Sequence, residues 1–227
     1  NSTSDYDSDG CEDESRIHAP GTEYDGQMVI AVDSEGNSYH AGTFHGTLTL
    51  GNQTFSQTSV SGYPWSGTGI SDAYVGKLLS NGTWEWVSII GSSRPHTAIA
   101  DIAVDDSGRV TIIGECRGEM WSNKTDSYFG DYQTCDTPDN HAGTFVARFA
   151  ENGSFEWMRY ILTLDGEQRA GGVAADDEGN AYITGGVCYS VGASSNCDVA
   201  FFKDSENVNS ITLTLQTGAS AGTSNFH

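Results

Sequence analysis

The residues best suited to chemistry stand near the N-terminus, in Asp5-Tyr6-Asp7-Ser8-Asp9-Gly10-Cys11-Glu12-Asp13. Asp5, Asp7, Asp9 and Asp13 take positions 1, 3, 5 and 9 of a loop with Gly at position 6, so alternate carboxylates can converge on one Ca2+. Position 12 is Arg16, where such a loop places a bidentate Glu. A solvated acidic tail is the competing reading. Three more carboxylates, Asp33, Asp105 and Asp176, recur at matched places, each opening a short turn that contains Gly. An Asp there bonds the backbone of its own turn, which fits these positions far better than acid–base catalysis. The histidines (His18, His40, His45, His96, His141, His227) show neither His-Glu-x-x-His spacing nor repeat-related placement. Gly-x-Ser-x-Gly elbows and phosphate-cradling glycine loops are also lacking. Cation binding is the chemistry on offer; no enzyme and no organic cofactor is expected.

Composition narrows the partners. The chain has 227 residues, a formal charge of -21 and 28 glycines, and its lysines are Lys77, Lys124 and Lys203. So acidic a surface repels nucleic acid and anionic membrane, because phosphate binding needs Lys and Arg to release counterions. No apolar run approaches the ~18 residues of a membrane span, so membrane insertion is not expected, and any export signal is expected to have been removed. Asn-x-Ser/Thr sequons begin at Asn1, Asn52, Asn81, Asn123 and Asn152, candidate glycosylation sites in an exported protein. The five cysteines lack zinc spacing, so disulfides are the better reading. Cys116 and Cys188 follow matched strands and Cys135 and Cys197 precede matched strands, which suggests the pairs Cys116–Cys135 and Cys188–Cys197. Cys11 is left over for a partner chain, an absent segment, or nothing. An extracellular or cell-surface location follows.

The elements that position these residues repeat. Val32-Asp33-Ser34-Glu35-Gly36-Asn37 returns as Val104-Asp105-Asp106-Ser107-Gly108-Arg109 and again as Ala175-Asp176-Asp177-Glu178-Gly179-Asn180, at offsets of 72 and 71. Ala73-Tyr74-Val75-Gly76-Lys77 matches Thr144-Phe145-Val146-Ala147-Arg148, and Asn81-Gly82-Thr83-Trp84-Glu85-Trp86 matches Asn152-Gly153-Ser154-Phe155-Glu156-Trp157. Repeats at 27–95, 96–166 and 167–218 follow, between an acidic segment at 1–26 and a tail at 219–227. Each is expected to form four strands. The first strands are Ile30–Val32, Ile102–Val104 and Val173–Ala175; the second, after an acidic turn, are Ser38–Thr43, Val110–Gly114 and Ala181–Gly185. Beyond a long Gly/Ser/Thr-rich connection come Ala73–Leu79, Thr144–Ala150 and Val199–Lys203, then an Asn-Gly turn and a fourth, outermost strand ending at Trp86 or Trp157. The small Ala31, Ala103 and Ala174 suit innermost strands, where neighbouring sheets converge.

The V-D-x-x-G-N turn, the D-A-Y-V-G-K-L strand and N-G-T-W-E-W together resemble the SBBP-type β-propeller repeat of secreted prokaryotic proteins, over roughly residues 27–203. The N-terminal acidic loop similarly resembles the calcium repeats of thrombospondin type 3 modules. The propeller resemblance implies an all-β fold of three propeller-type four-stranded blades at an outer surface, and implies no particular activity. Closed propellers have four to eight blades, so three form an open arc or part of a ring completed by another chain or segment. The alternating Ser210–Thr217 can pair within its own blade or be donated to a neighbouring subunit. The expected function is a non-catalytic surface-assembly protein that associates with itself through exposed blade edges. The alternative is a glycan- or protein-binding module using Tyr63, Trp65, Trp121, Tyr128, Phe129 and Tyr132 of the long connections.

Overall fold

A computed structural model of the chain describes residues 28–57, 71–94, 97–122, 135, 142–161, 167–191, 194–204 and 212–216. Every regular element among them is a β-strand, and no helix able to cross a membrane occurs there. The first unit contains β1 (Met28–Val32), β2 (Ser38–Phe44), the small hairpin β3 (Thr47–Leu50) and β4 (Gln53–Ser56), β5 (Asp72–Leu78) and β6 (Trp84–Ser92). The second contains β7 (Thr97–Val104), β8 (Val110–Cys116), β9 (Met120–Ser122), β10 (Gly143–Phe149) and β11 (Phe155–Ile161). The third contains β12 (Glu167–Ala175), β13 (Ala181–Val191), β14 (Ser194–Asp204) and β15 (Thr212–Gln216).

Each unit builds one antiparallel meander, with orders β1-β2-β5-β6, β7-β8-β10-β11 and β12-β13-β14-β15, and none of these sheets closes on itself. The expected all-β class and four-strand unit are therefore present. Matched registers show the repetition: Tyr39 pairs with Lys77, Thr111 with Arg148, and Tyr182 with Lys203.

Strand alternation gives every sheet two faces, and the sheets stack through them. Tyr39, Ala41, Ala73, Val75 and Ile90 of the first sheet share one buried cluster with Ile99, Ile102, Ile112, Phe145 and Phe149 of the second. The second sheet's opposite face turns Ile113, Val146 and Ile161 toward Ile183 and Val173 of the third. The first strands are neighbours through the stack, β1 beside β7 and β7 beside β12.

The front of the first sheet is covered differently. Phe44, Tyr74 and Ile89 lie under Leu48, Leu50 and Phe55 of the β3–β4 hairpin. The hairpin turns Thr47, Thr49, Gln53, Thr54 and Ser56 to solvent. It therefore acts as a polar lid over the outer half of an end sheet.

Three details differ from the sequence reading. Trp86 lies near the start of its strand, because β6 continues to Ser92; Trp157 likewise sits early in β11. In the first sheet β6 is not outermost, since Ile90–Ser92 pairs with β9 from the second unit, shielding an edge that would otherwise be open. In the third unit β13 and β14 run 11 residues each and pair as far as Val191 and Ser194, so the connection there, shorter by sequence than in the other units, is mostly ladder.

Two equivalent turn glycines separate backbone strain from inter-sheet packing. Gly82 (φ 83) and Gly153 (φ 80) are both left-handed. A Cβ on Gly82 would meet nothing, whereas one on Gly153 would lie 2.5 Å from the Trp86 ring of the first sheet. Gly82→Ala is expected to cost about 1–2 kcal/mol from conformation alone. Gly153→Ala adds about 1–3 kcal/mol from overlap. Urea unfolding of the two variants checks the difference.

Candidate functional site

The repeated acidic turns have one geometry. Asp33 Oδ1 accepts from the Glu35 amide at 3.0 Å and the Asn37 amide at 2.9 Å, while Oδ2 accepts from Asn37 Nδ2 at 2.9 Å and the Tyr39 hydroxyl at 3.2 Å. Asp176 does the same with Glu178, Asn180 and Tyr182, at 2.7–3.1 Å. In the middle turn Arg109 stands where the others have Asn, and its Nε donates to Asp105 Oδ2 at 2.7 Å. Gly36, Gly108 and Gly179 supply the positive φ (82, 74 and 86) that closes each turn. Hydrogen bonds, first from the Asn180 side chain, hold the Asp176 carboxyl at about 2. Burial alone would raise Asp33, but the bonds from Asn37, Glu35 and Tyr39 bring it below the ordinary value. All three carboxylates accept hydrogen bonds from their own turns, as the turn reading expects.

Between these turns runs a joint that locks each sheet to the next. Lys77, buried in β5, lies 3.0 Å from Glu85 Oε2 and 3.6 Å from Glu151 Oε1, with its ammonium 5.7 Å from the Tyr39 ring centroid. Glu151 belongs to the second sheet. Burial would lower Lys77, but Glu85 first, with Tyr39 and Glu151, pushes it up to about 12. Arg148 holds the same ladder place in the second sheet. Its Nη1 donates to the Gly179 carbonyl of the third sheet at 2.6 Å, its Nε donates to Thr111 Oγ1 at 3.2 Å, and the guanidinium lies 4.9 Å from the Trp157 ring centroid. Trp86 crosses the first joint too: its indole N–H donates to the Glu151 carbonyl at 2.8 Å.

The inner strands add a second link. The register of β7 on β8 shifts between Ile99 and Asp101, and that of β12 on β13 between Ala170 and Val173. Such shifts divert amides from the ladder, and a diverted amide needs another acceptor. The preceding sheet supplies it: the Ile99 amide donates to Thr43 Oγ1 at 3.1 Å, and the Val173 amide to Asp101 Oδ2 at 2.8 Å.

Of the sites read from the sequence, Cys116 and Cys135 form a disulfide, with Cα atoms 5.8 Å apart. It closes a connection of sequence separation 19, worth about 3 kcal/mol in the chain-entropy picture. Cys188 and Cys197 are direct partners across the β13–β14 ladder. Asn52, Asn81 and Asn152 all stand exposed at hairpin turns. Asn81 Oδ1 accepts from the Thr83 amide at 2.9 Å, and Asn152 Oδ1 from the Ser154 hydroxyl at 2.7 Å. The proposed calcium ligands Asp5, Asp7, Asp9 and Asp13, with Cys11, Asn1 and Asn123, lie outside the described residues, as do Tyr63, Trp65, Tyr128, Phe129 and Tyr132. Trp121 lies in β9, opposite Gly91. Among the described residues, no group of three or more His, Cys, Asp or Glu is disposed to hold a metal ion.

Sequence reasoning missed the joint. Its signal was one recurring cation, Lys77, Arg148 and Lys203, at one ladder place in a chain with ten Lys and Arg in all. It also missed the β3–β4 lid, although Thr47–Leu50 alternates and Gly51-Asn52 is a hairpin dipeptide. Compared with known protein families and with curated proteins, the chain matches no family model and no curated sequence.

One contact within the second joint is unfavourable. The Asp177 carboxyl is pushed up, first by the charge of Asp106 on the neighbouring turn, then by burial and by a hydrogen bond with Asp106. A carboxyl raised on folding penalises the folded state above its folded pKa, and the penalty vanishes below the unfolded value of 3.8. Asp177→Asn should therefore raise Tm at neutral pH and low salt. The gain should fade as the pH falls through the carboxylate range or as salt screens the pair. Thermal melts over pH and ionic strength read this out.

Proposed function

We propose that the chain is a non-catalytic structural subunit of an extracellular or cell-surface assembly. In this reading its three sheets are propeller-type blades in an open arc, and an end of the arc is the assembly surface. The observation that carries it is on β1: Met28, Ile30 and Val32, alternate residues on one side of the strand, are each 60% exposed. An apolar stripe along an edge strand is an association site in a soluble protein.

Other features agree with this reading. The Cys116–Cys135 disulfide suits an oxidising compartment, and three sequons stand on exposed turns where a glycan is sterically accommodated. The acidic turns are engaged in building the backbone. The N-terminal loop at Asp5, Asp7, Asp9 and Asp13 is proposed as a Ca2+ site, Cys188–Cys197 as a second disulfide, and Cys11 as a link between chains.

Light scattering and negative-stain microscopy of native material, with and without a calcium chelator, test the proposal. Oligomers or filaments whose size rises with protein concentration are expected. A compact monomer at every concentration and calcium level would overturn it.

A further inference from the structure

The two ends of the stack are the two halves of one joint. Ile30, Ile102 and Val173 occupy one place in the three units. Ile102 is 6% exposed beneath the first sheet and Val173 packs between the second and third, whereas Ile30 is 60% exposed. On the opposite face, Tyr39, Thr111 and Tyr182 share another place, and their exposures are 0%, 1% and 41%. Ala31 and Ala103 are half-buried, while Ala174 is exposed. What the internal joints bury at these places is left bare on β1 of the first sheet and at Ala174 and Tyr182 of the third.

The ends are unlike each other, so a copy of the internal joints pairs a front with a rear, not two fronts. A front meeting a rear is heterologous, and it generates a ring or an open filament according to whether the rotation closes. We propose that Met28, Ile30 and Val32 of one copy dock on the face carrying Ala174, Tyr182 and Thr184 of a second copy. The joint seen twice within the chain is then made once more between chains. This rests on the assembly reading above and adds to it the partner and the polarity.

Continuity with the internal joints supports the choice of a second copy. Lys203 holds the ladder place of Lys77 and Arg148, opposite Tyr182. At both internal joints the cation in that place reaches the next sheet, at Glu151 or at the Gly179 carbonyl. In the first sheet Gly36 is the equivalent of Gly179, in an exposed turn of the same geometry. The β3–β4 lid limits the contact to the inner strands, since it covers Phe44, Tyr74 and Ile89 and leaves β1 open. The joint between chains is thus smaller than those within, and it should be reversible.

Two single variants test this in a Cys11→Ser background. Ile30→Cys marks the front and Ala174→Cys the rear, both at exposed positions, and melts of each confirm folding. Mixed under mild oxidation, they should give a cross-linked dimer that neither gives alone. A chain carrying both substitutions should give a ladder of multimers. Cross-linking within Ile30→Cys alone would show a front-to-front contact and overturn the inference. So would absence of the mixed dimer in a sample that light scattering shows to be associated; the assembly reading would then survive. A sample that stays monomeric defeats both. In that monomer, an Ile30→Cys thiol protected from a soluble maleimide would assign the stripe to residues 1–27.

Discussion

The stack depends on polar groups of one sheet being satisfied by the sheet beside it. The indole of Trp86 and the ammonium of Lys77 reach Glu151, and the guanidinium of Arg148 reaches the Gly179 carbonyl. In return, the amides of Ile99 and Val173 are taken up by Thr43 and Asp101. A buried donor or acceptor left without a partner costs about 1–3 kcal/mol. A sheet pulled from the stack would leave several of these exposed at once, together with its apolar face. Burial of Ile102 and Phe145 supplies the drive for stacking, and the cross-sheet hydrogen bonds fix the alignment of one sheet on the next.

That arrangement explains why the acidic turns recur so faithfully. Each Asp closes its turn through two backbone amides and a side-chain donor, and the closed turn then presents a carbonyl, as Gly179 does to Arg148, or a surface, as Gly108 does to the Tyr39 hydroxyl of the first sheet. The residue after the turn completes it, Asn37, Arg109 or Asn180. Substituting Arg for Asn keeps a donor to the same oxygen, so the second turn survives a change of side-chain type. The repeat is thus a repeat of connections between sheets as much as of strands.

Much of this was legible in the residues. Offsets of 72 and 71 located the three meanders, and the Asp-to-Gly and Asn-Gly turns located their hairpins. The Cys116–Cys135 bridge followed from its place relative to the strands. What stayed hidden does not repeat or has no local pattern. Among the described residues the β3–β4 lid occurs in one unit, so comparing units passes over it. The strand β9 has three residues, too few for a periodicity, and its pairing with β6 depends on tertiary placement. The stripe on β1 was hidden for another reason: Ile30 and Ile102 are the same residue type at the same place, and only the neighbour differs.

That identity offers the most direct test. Ile30→Asn and Ile102→Asn are one chemical change at equivalent positions, one at the free front of the stack and one inside a joint. Chemical denaturation of both, with light scattering on the same samples, separates packing within the chain from association between chains. Ile102→Asn should lose about 3 kcal/mol or more, from the cavity and the buried amide. Ile30→Asn should stay within about 1 kcal/mol of the parent while losing the concentration-dependent association. Equal destabilisation by the two would mean that the first sheet's front is already covered, and would contradict the account of an open-ended stack.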